Sequence, residues 1–314
     1  MDVLTDVLNA FELKGWLSSR RELTSRWRYD FTESKDSTFH AISFGGAYLQ
    51  IEGEAEPMRV EDGDVLLFPT GHPHSLYDDS RSPLTRLVHL DYNPQRGYQV
   101  INSEGEGQKL LMLCGAFHFD YPSDFSLLRR LPKFIHIPGA QGHIAPGCAD
   151  IVRLIARESA LQQLGAEAML NRLTELLFIQ VIRLWIDQAA EASVGWIAAL
   201  RDPSISAALG LIHQSPHHKW TVNELAEAVA LSRSAFSARF SELVGEPPLT
   251  YLTRRRMLRA TRLLKNEVGM ETIAELLGYE SEAAFRKAFK REMGIPPAQY
   301  RRLDERQHAA KIAD

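Results

Sequence analysis

Three histidines raise the first question of chemistry. His72 and His74 flank Pro73 in the run Pro69-Thr70-Gly71-His72-Pro73-His74, and His40 lies in an earlier apolar run, Thr38 to Phe44. Imidazoles placed this way can be hydrogen-bonded within a barrel, line a small-molecule pocket, or supply part of a metal site. Two cysteines, Cys114 and Cys148, have neither Cys-x-x-Cys nor Cys/His zinc spacing. Cys114 sits in an apolar run and reads as a buried thiol, with redox sensing as the sharper alternative for either cysteine. A second set of residues suits contact with phosphates and base edges: Ser232, Arg233, Ser234, Ser237 and Arg239, then Ser281, Glu282, Arg286, Lys287 and Lys290.

That second set is positioned by a repeat. Phe236, Phe240, Gly245 and Tyr251 recur as Phe285, Phe289, Gly294 and Tyr300, each 49 residues on, whereas Ala226 and Ala274 are 48 apart. One supersecondary unit is therefore used twice, and one copy has an extra residue in its turn. Thr221-Val222-Asn223-Glu224 has the form of a capping box, and Ser232 and Ser281 can cap the second helix of each copy. Each copy reads as a helix-turn-helix. Gly278 takes a left-handed turn without penalty, while Ala230 at the first turn would do so at a cost of roughly 1 kcal/mol. Leu249 to Lys265 reads as one helix of about 26 Å joining the copies, a spacer that suits successive major grooves. Arg255, Arg259 and Arg262 form a basic stripe along it, read as phosphate contacts.

Ahead of the repeat the texture differs. Residues 1 to about 20 read as a short amphipathic helix through Val3, Leu4, Val7, Leu8, Phe11 and Leu13. From Trp27 to Tyr92, short apolar runs broken by Gly, Pro and Asp predict an antiparallel barrel or sandwich. Leu110 to Pro138 reads as a further strand, a short helix near Leu127 to Leu131, and an edge strand. The period then becomes helical, with one helix from Ile151 and a long one over Ala166 to Gln188. Its wide apolar surface predicts burial on two sides and favours a dimer interface. Asp202-Pro203 marks the expected boundary between a domain at 1–203 and one at 204–314.

The 314 residues are 45% hydrophobic and 24% charged, enough for two buried cores. From Ser204 onward 17 Lys plus Arg face 13 Asp plus Glu, a net +4, and the remainder holds 19 against 27, a net −8. The basic half is the repeat, which suits a nucleic-acid-facing module. No signal sequence or membrane span is evident, so a cytoplasmic protein with no membrane partner is expected.

Two resemblances follow. Gly63 to His74 is similar to the second motif of the cupin family, a glycine, five residues, Pro-x-Gly, two residues and a histidine. Metal-binding cupins add a His-x-His pair and a glutamate. Here His40 is followed by Ile42, and Ser43 to Tyr48 hold no acid, so a metal site and any other cofactor are not supported. Ser232-Arg233-Ser234-Ala235-Phe236, Arg256-Met257, Gly278-Tyr279-Glu280-Ser281 and Gly294-Ile295-Pro296-Pro297-Ala298-Gln299-Tyr300-Arg301 resemble the AraC-type transcription regulators. The resemblance implies an α+β chain: a cupin-like β-barrel followed by helices, then an all-α C-terminal domain of two helix-turn-helix motifs on a linker helix. It implies a homodimeric activator that binds double-stranded promoter DNA, works with RNA polymerase, and responds to a small-molecule effector or redox signal through its cupin domain. His40, His72 and His74 would be the ligand-binding residues. The competing reading is a metal-dependent cupin enzyme fused to a DNA-binding module, and no nucleophile and base constellation speaks for it. Of the two recognition helices, the first is expected to read bases or DNA shape and the second to anchor phosphates.

Overall fold

The structure is a computed structural model that describes Thr5 and residues 13–24, 26–79, 81–93, 95–103, 107–119, 131–139, 146–188 and 196–303. It is α+β and divides into two compact units, Glu12–Asp120 with Leu127–Ala190 forming one and the described residues from Trp196 onward lying in the other.

The first unit is a two-sheet barrel. One sheet contains β1 (Leu13–Thr24), β3 (Ser37–Phe44), β6 (Val65–Phe68), β9 (Gln99–Asn102), β10 (Lys109–Phe119) and β11 (Ile135–Ile137), in the order β11-β6-β3-β10-β1-β9. The other contains β2 (Arg28–Phe31), β4 (Ala47–Ile51), β5 (Met58–Val60), β7 (His74–Tyr77) and β8 (Arg86–Val88), in the order β5-β4-β7-β2-β8. Most pairings are antiparallel, but β9 joins β1 and β8 joins β2 in parallel. Leu49, Leu76, Trp27 and Tyr29 from one sheet meet Ile42, Leu66, Phe68 and Met112 from the other in a single apolar interior. Burial at about 25 cal/mol per Å² of apolar surface drives this closure.

The stretch expected to be an N-terminal helix is, from Leu13 onward, a strand; of the rest, only Thr5 lies among the described residues. Leu17, Ser19, Arg21 and Leu23 are buried, and Ser18, Arg20 and Glu22 between them are more exposed. The period is that of a strand. It is obscured in sequence because two of the inward positions are polar.

Strands β3 and β10 are buried on both faces. Their outer face carries Phe39 and Phe117, with ring centroids 5.0 Å apart, and Phe117 packs on Phe178 at 4.9 Å. Phe178 belongs to α2 (Ala166–Gln188), which lies on the sheet, and α1 (Pro146–Leu161) packs against α2. Part of the wide apolar surface of α2 is thus covered by the sheet and by α1, without requiring a second chain. The short helix expected near Leu127 falls mostly outside the described residues.

The second unit is helical: α3 (Trp196–Arg201), α4 (Pro203–Gln214), α5 (Val222–Ala228), α6 (Arg233–Val244), α7 (Pro248–Lys265), α8 (Met270–Leu276) and α9 (Glu282–Met293). Asp202 caps α4 by accepting from the Ile205 amide at 2.8 Å. Because α3 packs on α6, the Asp202-Pro203 turn lies inside this unit. Among the described residues no helix is long and apolar enough to cross a membrane.

The two copies have matching cores. Phe236 and Phe240 sit 5.6 Å apart, and Phe285 and Phe289 5.7 Å. Tyr251 meets Phe240 edge-on as Tyr300 meets Phe289. Their turns differ in chemistry but share a conformation, with φ +56° at Ala230 and +73° at Gly278. A Cβ at Gly278 would also overlap the His217 carbonyl oxygen. Ala230→Gly is therefore expected to stabilise the helical unit by about 1 kcal/mol, and Gly278→Ala to destabilise it by more than about 2 kcal/mol. Urea unfolding followed by circular dichroism checks both signs.

Candidate functional site

The recognition helices are α6 and α9. Each begins at a serine whose hydroxyl accepts an amide at 3.2 Å, Ser232 from Ala235 and Ser281 from Ala284. The α5 start carries the full capping box: Glu224 N donates to Thr221 at 3.1 Å, and Thr221 N donates to the Glu224 carboxylate at 2.8 Å. On α6, Phe236 and Phe240 face inward, which leaves Arg233, Ser234 and Arg239 exposed and Ser237 partly so. On α9, Phe285, Ala288 and Phe289 face inward, which exposes Arg286, Lys287 and Lys290. The 3.6-residue period thus brings together nearly every polar side chain singled out in the sequence on two outward surfaces.

Not all of them are equally available. Arg239 is bound to Asp202, its Nε donating at 2.6 Å to a carboxylate that is 8% exposed. It ties α6 to the start of α4. Arg286 pairs with Glu282 one turn earlier on α9. Lys287 and Lys290 make no such pair among the described residues. The stripe of Arg255, Arg259 and Arg262 lines a cleft of about 210 Å³ with His213 and Leu258.

The copies are clamped together by a residue not picked out for this role in the sequence. Arg256 on α7 donates from Nε to the Pro216 carbonyl at 2.7 Å and from Nη2 to the His218 carbonyl at 2.9 Å. Its guanidinium also lies 5.4 Å from the Tyr279 ring centroid. Pro216 and His218 precede the first copy, and Tyr279 is in the turn of the second. The Gly278 backbone closes on the same loop, and Lys219 donates to Glu280 at 2.9 Å across it. No sequence periodicity signals such a clamp, since its partners are far apart in the chain.

In the barrel, His40 and His74 come from opposite sheets and meet in the interior, Nε2 to Nε2 at 2.7 Å. Register places His40 opposite Cys114, and its Nδ1 lies 3.1 Å from Sγ. His74 Nδ1 lies 2.8 Å from the His72 carbonyl. A carbonyl only accepts, so Nδ1 of His74 donates and Nε2 of a neutral ring accepts. His40 must then donate from Nε2 and accept at Nδ1 from the Cys114 thiol. The chain runs Cys114 to His40 to His74 to the His72 carbonyl. Phe68 stacks on His74 with ring centroids 3.7 Å apart, and Phe31 also stacks on His74, at 4.9 Å. Burial pushes His74 down to about 4; burial, then His74 and Arg21, hold His40 well below its ordinary value.

His72 points elsewhere, its Nε2 donating to the Glu52 carbonyl at 3.0 Å. Gly71 turns the chain between Phe68 and His74 at φ +62°, where a Cβ would overlap the Ser34 carbonyl. Cys148 is buried, and burial pushes its thiol up to about 12. Burial likewise raises Cys114 despite Arg21 and Ser19.

These residues do not fit a resident metal ion. Two imidazole nitrogens on one tetrahedral ion stand about 3.3 Å apart, whereas His40 and His74 are in direct hydrogen-bond contact. Among the described residues no three His, Cys, Asp or Glu side chains are arranged to hold a metal. The sequence reading missed Ser19 and Arg21, both inward on β1 beside Cys114. A period of two through Leu17 and Leu23 is the signal that could have found them.

Comparison with known proteins identifies the family. Residues 2–187 match the Cupin family, and residues 225–303 match the Helix-turn-helix domain family. The chain is 33% identical over 310 residues to an AraC-like transcription regulator of Streptomyces antibioticus, covering 96% of this chain and 99% of that one. It is 28% identical over 305 residues to the HTH-type transcriptional regulator AlkR of Acinetobacter baylyi, covering 96% and 99%. The crystal structure of the DNA-binding domain of AdpA in complex with a target DNA is 32% identical, with a TM-score of 0.32, over 34% of this chain and 96% of that one. The chain belongs to the AraC family of DNA-binding transcription regulators, with a cupin domain ahead of its paired helix-turn-helix motifs.

Proposed function

We propose that this regulator is an activator that binds promoter DNA through α6 and α9 together and takes its signal through the barrel. The observation that supports this reading is the clamp at Arg256, which ties the loop ahead of the first copy to the turn of the second. Ser232, Arg233, Ser234 and Ser237 offer short or flexible donors for base edges and phosphates from the first helix. Ser281, Glu282, Arg286, Lys287 and Lys290 serve the second, with Lys287 and Lys290 as its principal phosphate anchors. Arg239 contributes by holding α6 on Asp202. RNA polymerase recruitment from the bound promoter, a cytoplasmic location and a homodimeric state complete the proposal. A second copy would cover the exposed Leu161, Leu164, Met169 and Leu176.

For the signal, a small-molecule effector is favoured over a redox one. Both thiols are buried, and burial raises both. A thiol nucleophile must be deprotonated to react quickly. His40 and His74 are the interior polar pair an effector would engage, and His72 stands at the turn beside them. Among the described residues the metal-dependent enzyme alternative finds no ligand set, and the relatives are named as regulators.

Two outcomes test this reading. Lys287→Ala and Lys290→Ala should each weaken binding to a promoter fragment and lower the salt slope by about one, with a smaller change for Arg286→Ala. Fluorescence anisotropy across a salt series measures this, and unchanged slopes would take α9 off the phosphates. The interior histidines give the second. An unfolded chain protonates them near 6.5, and the folded barrel holds His74 neutral down to about 4. The folded state therefore binds fewer protons between these values, and stability present above pH 6.5 is lost as the pH falls. The loss should reach about 2 kcal/mol by pH 5 from His74 alone, with His40 adding to it, and be smaller in His40→Leu/His74→Phe. Calorimetry at pH 7.5 and pH 5 distinguishes the two proteins, and equal losses would mean the pair is not held neutral.

A further inference from the structure

One sheet ends at β9 and the other at β8. A cleft of about 430 Å³ lies between these edges. Its charged lining is mainly basic, from Arg21, Lys35, Arg86 and Arg96, and the carboxylate among its lining residues, Asp91, already accepts from the Ser34 hydroxyl at 2.9 Å. Trp16, Leu87 and Ile101 give it an apolar side. Trp16 Nε1 donates to the Arg96 carbonyl at 3.0 Å, which fixes the segment bearing the Arg96 side chain.

Arg21 is the unusual member. It is 2% exposed, on an inward position of β1, and no carboxylate pairs with it among the described residues. Its Nε donates to the Ser19 hydroxyl at 3.1 Å, and its guanidinium lies 4.2 Å from the Tyr29 ring centroid and 5.6 Å from that of Phe31. Its Nη1 is buried with no hydrogen-bond partner. A buried charge with an unmet donor is strongly unfavourable unless something supplies the missing acceptor. A guanidinium is suited to receiving two oxygens of one carboxylate.

We propose that this cleft binds a small organic carboxylate with an apolar body, its carboxylate on Arg21 and its body against Trp16, Leu87 and Ile101, with Lys35, Arg86 and Arg96 drawing it to the mouth. The volume suits a ligand of that class. The same Arg21 adds positive charge beside His40 and Cys114. An anion arriving there relieves that field, which couples the cleft to the hydrogen-bond chain inside the barrel. This deepens the reading of the barrel as the sensor and rests on it.

The test uses the full chain, titrated with phenylacetate and hexanoate by calorimetry and by tryptophan fluorescence, since Trp16 lines the cleft. The uncharged counterparts 2-phenylethanol and 1-hexanol are titrated in parallel. At least one carboxylate should bind saturably and about tenfold or more tighter than its alcohol, and Arg21→Met should lose that preference. Arg86→Ala/Arg96→Ala, confined to the exposed rim, should weaken carboxylate binding several-fold and more so at low salt. If Arg21→Met does not fold by circular dichroism, the rim variant decides. Equal binding of acid and alcohol, no saturable binding of either acid, or an unaffected preference in the variant that decides would each overturn the proposal. Promoter-fragment affinity is measured on the same samples without probe. Intact DNA binding alongside absent carboxylate binding would remove the anion assignment and leave the regulator reading standing.

Discussion

Arg256 cannot move without releasing two carbonyls and an aromatic ring at once. Its partners lie on both sides of the joining helix in the chain: Pro216 and His218 in the loop ahead of the first copy, and Tyr279 in the turn of the second. Hydrogen bonds from a charged donor are worth about 1.5–3 kcal/mol each, so losing this residue costs far more than an exposed ion pair would. The positive φ at Gly278 serves the same contact, because only a residue without Cβ lets that turn meet the His217 carbonyl. The DNA-binding module follows from this constraint: the turn of the second helix-turn-helix unit is held on the loop that leads into the first.

The barrel is organised by a different difficulty. Its largely apolar interior is crossed by a line of polar groups, Arg21, Ser19, Cys114, His40 and His74, drawn from both sheets. Buried polar groups are tolerated when hydrogen-bonded, and His40, His74 and Cys114 satisfy one another along a single direction of donation. Arg21 does not complete the scheme. Its Nη1 is without an acceptor, and the residue lines the basic cleft between the sheet edges.

Much of the helical unit was legible in the sequence because each signal is local. Thr221 and Glu224, Ser232, Ser281, the phenylalanine pairs and their constant offset act within a few residues, and the structure puts them where those rules require. The clamp was not legible, because Arg256 acts between segments brought together only by folding. In the barrel, the turn at Gly71 and the strands at Ser37–Phe44, Ala47–Ile51 and Val65–Phe68 were readable, and the short Met58–Val60 strand was not. The strand β1 was not, since Ser19 and Arg21 occupy inward positions and break the apolar alternation. That Cys114 faces His40 depends on strand register, which composition does not encode. Part of the wide apolar surface of α2 is covered by the sheet and by α1, while Met169 and Leu176 on the same helix stay exposed.

The central claim is that the two recognition helices form one rigid reader. It is tested most directly by measuring affinity for a promoter fragment, recovered by genomic footprinting, before and after five base pairs are inserted between the segments contacted by α6 and α9. Half a helical turn rotates one segment to the opposite face of the duplex. A clamped pair loses about a hundredfold or more in affinity, because only one helix can engage at a time. Affinity that survives the insertion would show two units moving independently, and would contradict the role assigned to Arg256.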